Sequence, residues 1–158
     1  MKKIILSIAA VFAFGLANAQ DAKYGIKGGI DNMSQDFGGG SVSLSGFFVG
    51  GFAEYDFKDK IVLQPGLNYH TASKDGFNLT YLSIPVLAKY KASDKINILA
   101  GPSLFYCLED VAEKTTFSLD LGASYDITEK IFIEPRYSLG LTGDFKTNHF
   151  LIGIGYKL

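Results

Sequence analysis

The chain has 158 residues, a formal net charge of −1 and one cysteine. That length makes one domain the expectation, and a near-neutral balance without a basic run excludes a nucleic-acid binder. A lone Cys107 excludes an internal disulfide.

Thirteen Phe, nine Tyr and eighteen Gly stand against only four Pro. Aromatic, Gly-rich sequence with alternating polarity is what barrel strands require. The N-terminus reads differently. Met1-Lys2-Lys3 is a short positive segment, Ile4 to Leu16 is apolar, and Ala17-Asn18-Ala19 offers a small-residue cleavage site. These are the parts of a secretory signal peptide over 1–19, which leaves 20–158 as the folded domain. The apolar run is too short to span a bilayer as a helix, and no later segment is longer. A membrane location therefore requires a barrel.

Eight strands can be placed in order. The first covers 23–32, with Tyr24, Ile26 and Ile30 opposite Lys27, Gly29 and Asp31. Residues 33–44, with Gly38-Gly39-Gly40 and several Ser, read as a loop. The second strand, 45–55, is apolar on both faces for part of its length because Phe48 and Phe52 oppose Phe47 and Val49. The third runs 60–70, and 71–78 reads as a polar loop around Asp75-Gly76. The fourth spans 79–90, the fifth 96–106 and the sixth 116–126. The seventh covers 130–141 and the eighth 149–158. Residues 107–115 and 142–148 read as the remaining loops, the latter turning at Gly143-Asp144.

One unit organises this order. Tyr55, Tyr90 and Tyr125 recur every 35 residues, as do Lys60, Lys95 and Lys130. Each copy is a strand ending in Tyr, a tight polar turn and a new alternating strand. An up-and-down β meander follows. The expected fold is all-β, an eight-stranded antiparallel up-and-down transmembrane β-barrel.

Alternation leaves open which face is inside, and three features favour lipid outside. Tyr24, Tyr55, Tyr90, Tyr125 and Tyr156 share the apolar parity at one end, with Tyr69, Tyr106 and Tyr137 towards the other. Interfacial girdles of membrane barrels have this form. The opposite parity carries small residues and a balanced charge set: Lys27, Asp31, Glu54, Lys89, Asp120, Glu134, Arg136 and Lys157. A narrow interior needs space and paired charges. Connections also alternate between tight turns and loops of about a dozen residues, as short periplasmic turns and longer outer loops do. Pro65, Pro85, Pro102 and Pro135 fall inside strands, where each removes a ladder hydrogen bond; bulges or local gaps are expected there.

Several stretches resemble a known family. They include Tyr24-Gly-Ile-Lys-Gly-Gly29, Gly50-Gly-Phe-Ala-Glu-Tyr55, Leu63-Gln-Pro65 and Tyr81-Leu-Ser-Ile-Pro-Val-Leu-Ala-Lys-Tyr90. Ala100-Gly-Pro102 and Gly153-Ile-Gly-Tyr156 complete the set. Together they resemble the small outer-membrane β-barrels of Bacteroidetes, often termed PorT-like or outer membrane protein beta-barrel domain. The resemblance spans the mature chain and implies a wall and an address. Outer-membrane lipid, the barrel-assembly machinery and a surface or secretion partner met through the outer loops are the partners expected of such a barrel. The resemblance implies no activity.

No catalytic, metal or cofactor signature stands out. Two His and one Cys lack ligand spacing, and no Gly-x-Ser-x-Gly segment is present. His70 and His149, placed at outer strand ends with lumen parity near Ser83 and Thr71, leave a lipid-modifying enzyme as one alternative. A soluble periplasmic barrel holding a small apolar ligand is the other. The leading expectation is a non-catalytic outer-membrane barrel with a plugged, charge-paired lumen and no cofactor.

Overall fold

A computed structural model of the chain describes residues 22–36, 39–109, 114–142 and 146–158. The signal peptide expected over 1–19 lies outside the described residues. So do Gly38, the loop residues Asp110 and Glu113, and the Gly143-Asp144 turn.

Eight strands follow one another: β1 (Lys23–Asp36), β2 (Ser41–Lys58), β3 (Ile61–Lys74), β4 (Phe77–Lys91), β5 (Ile96–Cys107), β6 (Thr115–Asp126), β7 (Ile131–Gly140) and β8 (Lys146–Lys157). Each pairs antiparallel with the next, and β1 pairs with β8 from Gly25↔Lys157 to Asp36↔Lys146. The sheet is a closed barrel, and the described residues contain no helix.

Polarity runs opposite to that of a soluble barrel. Outward Ile26, Phe47 and Ile154 are 56, 58 and 59% exposed, whereas inward Lys27, Asp31 and Arg136 are 3% or less. Leaving each large apolar side chain in water forfeits about 1.5–3 kcal/mol. Repeated around eight strands, that penalty removes the soluble-carrier alternative. The Phe48 and Phe52 anomaly also resolves: both rings turn inward and are buried.

The structure corrects the loop lengths. β1 and β2 continue into the segment read as a loop, pairing as far as Asp36↔Ser41. β3 and β4 continue to Lys74↔Phe77. Between them Asp75 (φ 51°) and Gly76 (φ 85°) both take positive φ, the requirement of a two-residue type I′ turn. That connection is a tight hairpin, and asymmetry lies in the strands themselves. β1 to β4 have 14, 18, 14 and 15 residues, against 12, 12, 10 and 12 for β5 to β8. A bilayer span needs about 9–11 tilted residues. The first four strands therefore rise beyond the wall at the end bearing the β1–β2 and β3–β4 connections, here called the loop end.

The prolines open gaps without shifting register. β2–β3 pairing skips from Phe52↔Gly66 to Tyr55↔Leu63 beside Pro65. β3–β4 skips from Pro65↔Val86 to Asn68↔Ser83 beside Pro85, and β4–β5 from Pro85↔Ser103 to Ala88↔Ala100 beside Pro102. β6–β7 skips from Gly122↔Arg136 to Tyr125↔Ile133 beside Pro135. Every gap faces the preceding strand, while each proline stays paired with the following one. The register shift in the β2–β3 ladder lies elsewhere, between Asp56 and Lys58.

Two inward rings lie across glycines directly opposite them. Phe52 pairs with Gly25, and Phe132 with Gly155. A Cβ added at Gly155 would stand 2.1 Å from Phe132 Cζ, and at Gly25 2.2 Å from Phe52 Cζ. Phe132 is wholly buried and has no room to retreat. Gly155→Ala should destabilise the barrel by about 1–3 kcal/mol through overpacking. Urea unfolding of the refolded protein in phospholipid vesicles measures it, and a Gly51→Ala control, with only one contact near 3.7 Å, should change little.

Candidate functional site: a polar column inside the barrel

Inward positions stack into layers because every strand contributes each second side chain to the interior. At the turn end, where β2–β3, β4–β5 and β6–β7 connect, an open bowl of about 880 Å³ is lined by turn residues and floored by Glu54, Val62 and Lys89. Lys157 Nζ donates to Asp126 Oδ1 at 2.8 Å, and Asn97 donates to Asp126 Oδ2 at 3.0 Å. Deeper, Lys89 Nζ donates to Glu54 Oε1 at 2.8 Å.

Gln64 ties two ion pairs together. Its amide donates to Glu54 Oε1 at 3.0 Å, and its carbonyl accepts from Lys27 at 3.3 Å. Lys27 also donates to Glu134 Oε1 at 2.9 Å. Lys27 and Lys89 lie 5.6 and 5.3 Å from the Phe52 and Phe132 ring centroids, so the same rings that cover glycines also face cations.

Arg136 stands in the next layer, with Nε 3.5 Å from Asp120 Oδ2 and Nη1 3.8 Å from Glu134 Oε1. These distances give charge pairing without hydrogen-bond geometry. Asp120 Oδ1 accepts instead from Ser103 at 2.6 Å and Ser138 at 2.5 Å.

Towards the loop end, Asp31 is held by two histidines. His70 Nδ1 lies 2.8 Å from its Oδ2, and His149 Nδ1 is 3.1 Å from both oxygens. His70 Nε2 lies 2.7 Å from Ser83 Oγ. Phe48 stacks on His70 and Phe105 on His149. An apolar cluster of Met33, Leu44, Ala72, Leu79 and Cys107, with Tyr81 against it, covers this layer.

The structure thus gathers Lys27, Glu54, Lys89, Asp120, Glu134 and Arg136 into one connected interior, with Lys157 half-buried at its mouth. Asp31 belongs to a separate cluster, since its partners are histidines rather than Lys or Arg. Both histidines point inside the barrel, as their parity implied, but at 2% exposed or less they lie away from the rims where the sequence suggested them. Asp126 and Gln64 were the missed partners. Their parity marked them as inward: Gln64 meets Glu54 on neighbouring β2 and Asp126 meets Asn97 on neighbouring β5, while Lys27 and Lys157 reach them from strands with which they share no ladder. The tyrosines Tyr24, Tyr69, Tyr90, Tyr125, Tyr137 and Tyr156 are 40–45% exposed on the outer surface, and Tyr55 and Tyr106 are half-buried there.

The profile of the outer membrane protein beta-barrel domain matches residues 4–157, nearly the whole sequence. The chain belongs to that family. Ail, the attachment invasion locus protein of Yersinia pestis, superposes with a TM-score of 0.63 at 15% identity, over 88% of this chain and 100% of that one. Neisserial surface protein A gives 0.62 at 13% identity over 88% and 100%. A de novo designed transmembrane β-barrel gives 0.53 at 15% identity over 86% and 95%. No curated protein matches the chain in sequence. At such identities the likeness is one of fold, and a designed barrel among the neighbours makes the point concrete. Family and fold place this outer membrane protein beta-barrel domain in the outer membrane, with its exposed apolar belt against lipid.

Two outcomes test the site. Lys89→Met should cost about 3–5 kcal/mol by leaving Glu54 buried without its cation, and adding Glu54→Leu should recover most of it. Equilibrium urea unfolding of the single and double variants reads the coupling. At the loop end, Glu109 accepts from the Thr80 backbone N–H at 2.8 Å, which holds its carboxyl below the usual range. Because the folded value is depressed, protection of the Thr80 amide should be complete above about pH 4.3 and vanish as pH falls through the folded value. Hydrogen exchange on the wild type and on Glu109→Ala, which should lack that protection throughout, checks the sign.

Proposed function

We propose that this protein is a non-catalytic outer-membrane barrel whose lumen is plugged by its own charge-paired side chains, and that it acts at its loop end. Its role is structural or interactive. The observation that carries the reading is the interior itself: ion pairs, rings and the apolar cluster occupy successive layers from Glu54 to Met33. Eight strands enclose only enough room for such a filling. In this reading residues 1–19 are removed as a signal peptide, the turn end faces the periplasm, and the barrel-assembly machinery inserts the chain. The strand motifs support a likeness to PorT-like barrels of Bacteroidetes, at the level of wall sequence. A surface or secretion partner would meet the loop end.

A lipid-modifying enzyme is the second reading, and one observation favours it. Ser83, His70 and Asp31 have the connectivity of a nucleophile–base–orienter relay at 2.7 and 2.8 Å. Against it, Ser83 is 1% exposed and faces the lumen, while acyl chains lie outside the wall. Asp31 is shared with His149, and aromatic rings flank both bases. The relay is assigned to packing.

The purified protein in planar bilayers should show no stable large conductance; reproducible open-pore steps would overturn the plugged lumen. A fluorophosphonate probe should leave Ser83 unlabelled, and labelling abolished by Ser83→Ala would reinstate the enzyme. An epitope inserted at Asp75-Gly76 should bind antibody on intact cells, and sequencing of the mature N-terminus should begin at Gln20.

A further inference from the structure

Above the apolar belt the barrel wall reverses its polarity. Along β1, outward Ile30 gives way to Asn32 and Ser34, while inward Asp31 gives way to Met33. On β2, outward Phe47 is followed towards the loop end by Ser45 and Ser43, and inward Phe48 by Leu44. β3 and β4 change the same way, with Thr71 and Thr80 outward and Ala72 and Leu79 inward. Such a reversal marks where the surrounding solvent changes from hydrocarbon to a polar medium.

The outward side of this extension is an ordered, uncharged array. Asn32, Ser45, Ser73 and Asn78 form one continuous cross-strand row over four strands, through the pairs Asn32↔Ser45, Ser45↔Ser73 and Ser73↔Asn78. Thr71↔Thr80 lies on the belt side of it and Ser34↔Ser43 on the tip side. All four members of the main row are exposed, and Ser45 Oγ donates to Asn32 Oδ1 at 2.8 Å. Rows are spaced by about 4.8 Å across strands and about 7 Å along them, the scale of a sugar ring and its substituents.

We propose that this face docks the neutral sugars of an outer-leaflet glycolipid headgroup. The proposal rests on the reading of the loop end as the outer one. Three features of the molecule select that occupant. The array continues the lipid-facing surface without a break: Phe47 and Ile30 lie on the belt side of Ser45 and Asn32 on the same strands, so a lipid held by the belt brings its own headgroup to the row. Between belt and tips, outward positions of the described β1–β4 carry no charged side chain, so phosphate is not what the face is built to hold. Hydroxyl and amide groups donate and accept at once, as sugar hydroxyls require. Ser and Thr are also weak anchors for a protein partner, whose centre would call for Trp, Tyr or Arg. The extension adds about four residues per strand to a 10–11-residue span, which at about 3.3 Å per residue and 35–45° tilt is about 10 Å of height. That reaches through a headgroup layer.

The test uses the full-length protein refolded in phosphatidylcholine vesicles with and without rough lipopolysaccharide, a glycolipid whose sugars can be separated from its phosphates. Fluorescent lipopolysaccharide should associate with the wild type, and Ser45→Val combined with Ser73→Val should weaken association about five- to tenfold, the loss of one or two hydrogen bonds. Dephosphorylated lipopolysaccharide should bind as well as the parent, with little dependence on salt. Unchanged affinity in the double variant, or binding that disappears with the phosphates, overturns the proposal. So does cross-linking through Ser73→Cys that captures a second copy in place of glycolipid. Heat-modifiable migration confirms that the variant folds. If it does not, amide shifts of wild-type Ser45 and Ser73 on titration with the dephosphorylated core oligosaccharide decide the matter, and their absence counts against it. Vesicle binding is independent of cellular orientation and of conductance. Failure here therefore leaves the plugged barrel standing, and an open pore would leave the sugar face standing.

Discussion

Every backbone N–H and C=O in the wall must find a partner inside the protein, because hydrocarbon offers none. The β1–β8 ladder meets that demand by joining the ends of the meander from Gly25↔Lys157 onward. Without it, two edge strands would expose rows of polar groups to lipid. Everything else is subordinate to that closure. A sheet of eight strands bent into a tube leaves a narrow interior, and the interior then dictates which side chains can fill it.

The filling combines two devices that depend on each other. Phe52 and Phe132 occupy the volume vacated by the absent side chains of Gly25 and Gly155. Their faces then lie within reach of Lys27 and Lys89, whose charges are also met by Glu134 and Glu54. Burial of an ion is tolerable only where its partners are fixed, and rigid rings seated on glycine supply that fixity. Small residues in the wall are thus what permit charges in the interior.

Much of this was legible in the sequence, and the illegible parts share a cause. Strand parity is a local property with period two, so Lys27, Glu54, Lys89, Glu134 and Arg136 could be assigned to one face from spacing alone. The hairpin turns repeat, so they could be aligned. Residues 33–44 and 71–78 misled because Ser, Gly, Asn and Asp are read as loop formers wherever they cluster. In the strand residues of those segments the alternation was intact with its sense reversed: Met33, Leu44 and Ala72, with the adjoining Leu79, had become the inner face. A reading that fixes one face as apolar for the whole strand cannot see that. The Asp31–His70–His149 cluster was hidden for a different reason: His149 meets Asp31 diagonally on the β1–β8 ladder that joins the two ends of the meander, and His70 reaches it from β3, which does not pair with β1.

The prolines divide the wall into unlike halves. Gaps interrupt β2–β3, β3–β4, β4–β5 and β6–β7, whereas the β5–β6, β7–β8, β8–β1 and β1–β2 ladders run without a missing rung. Mechanically the tube therefore has a stiff spine centred on the seam where its two ends meet. The opposite side, β2 to β5, carries three consecutive weakened joints. Lateral pressure from the bilayer would flatten the cross-section by flexing at those joints, so the seam that holds the tube shut bears the least deformation.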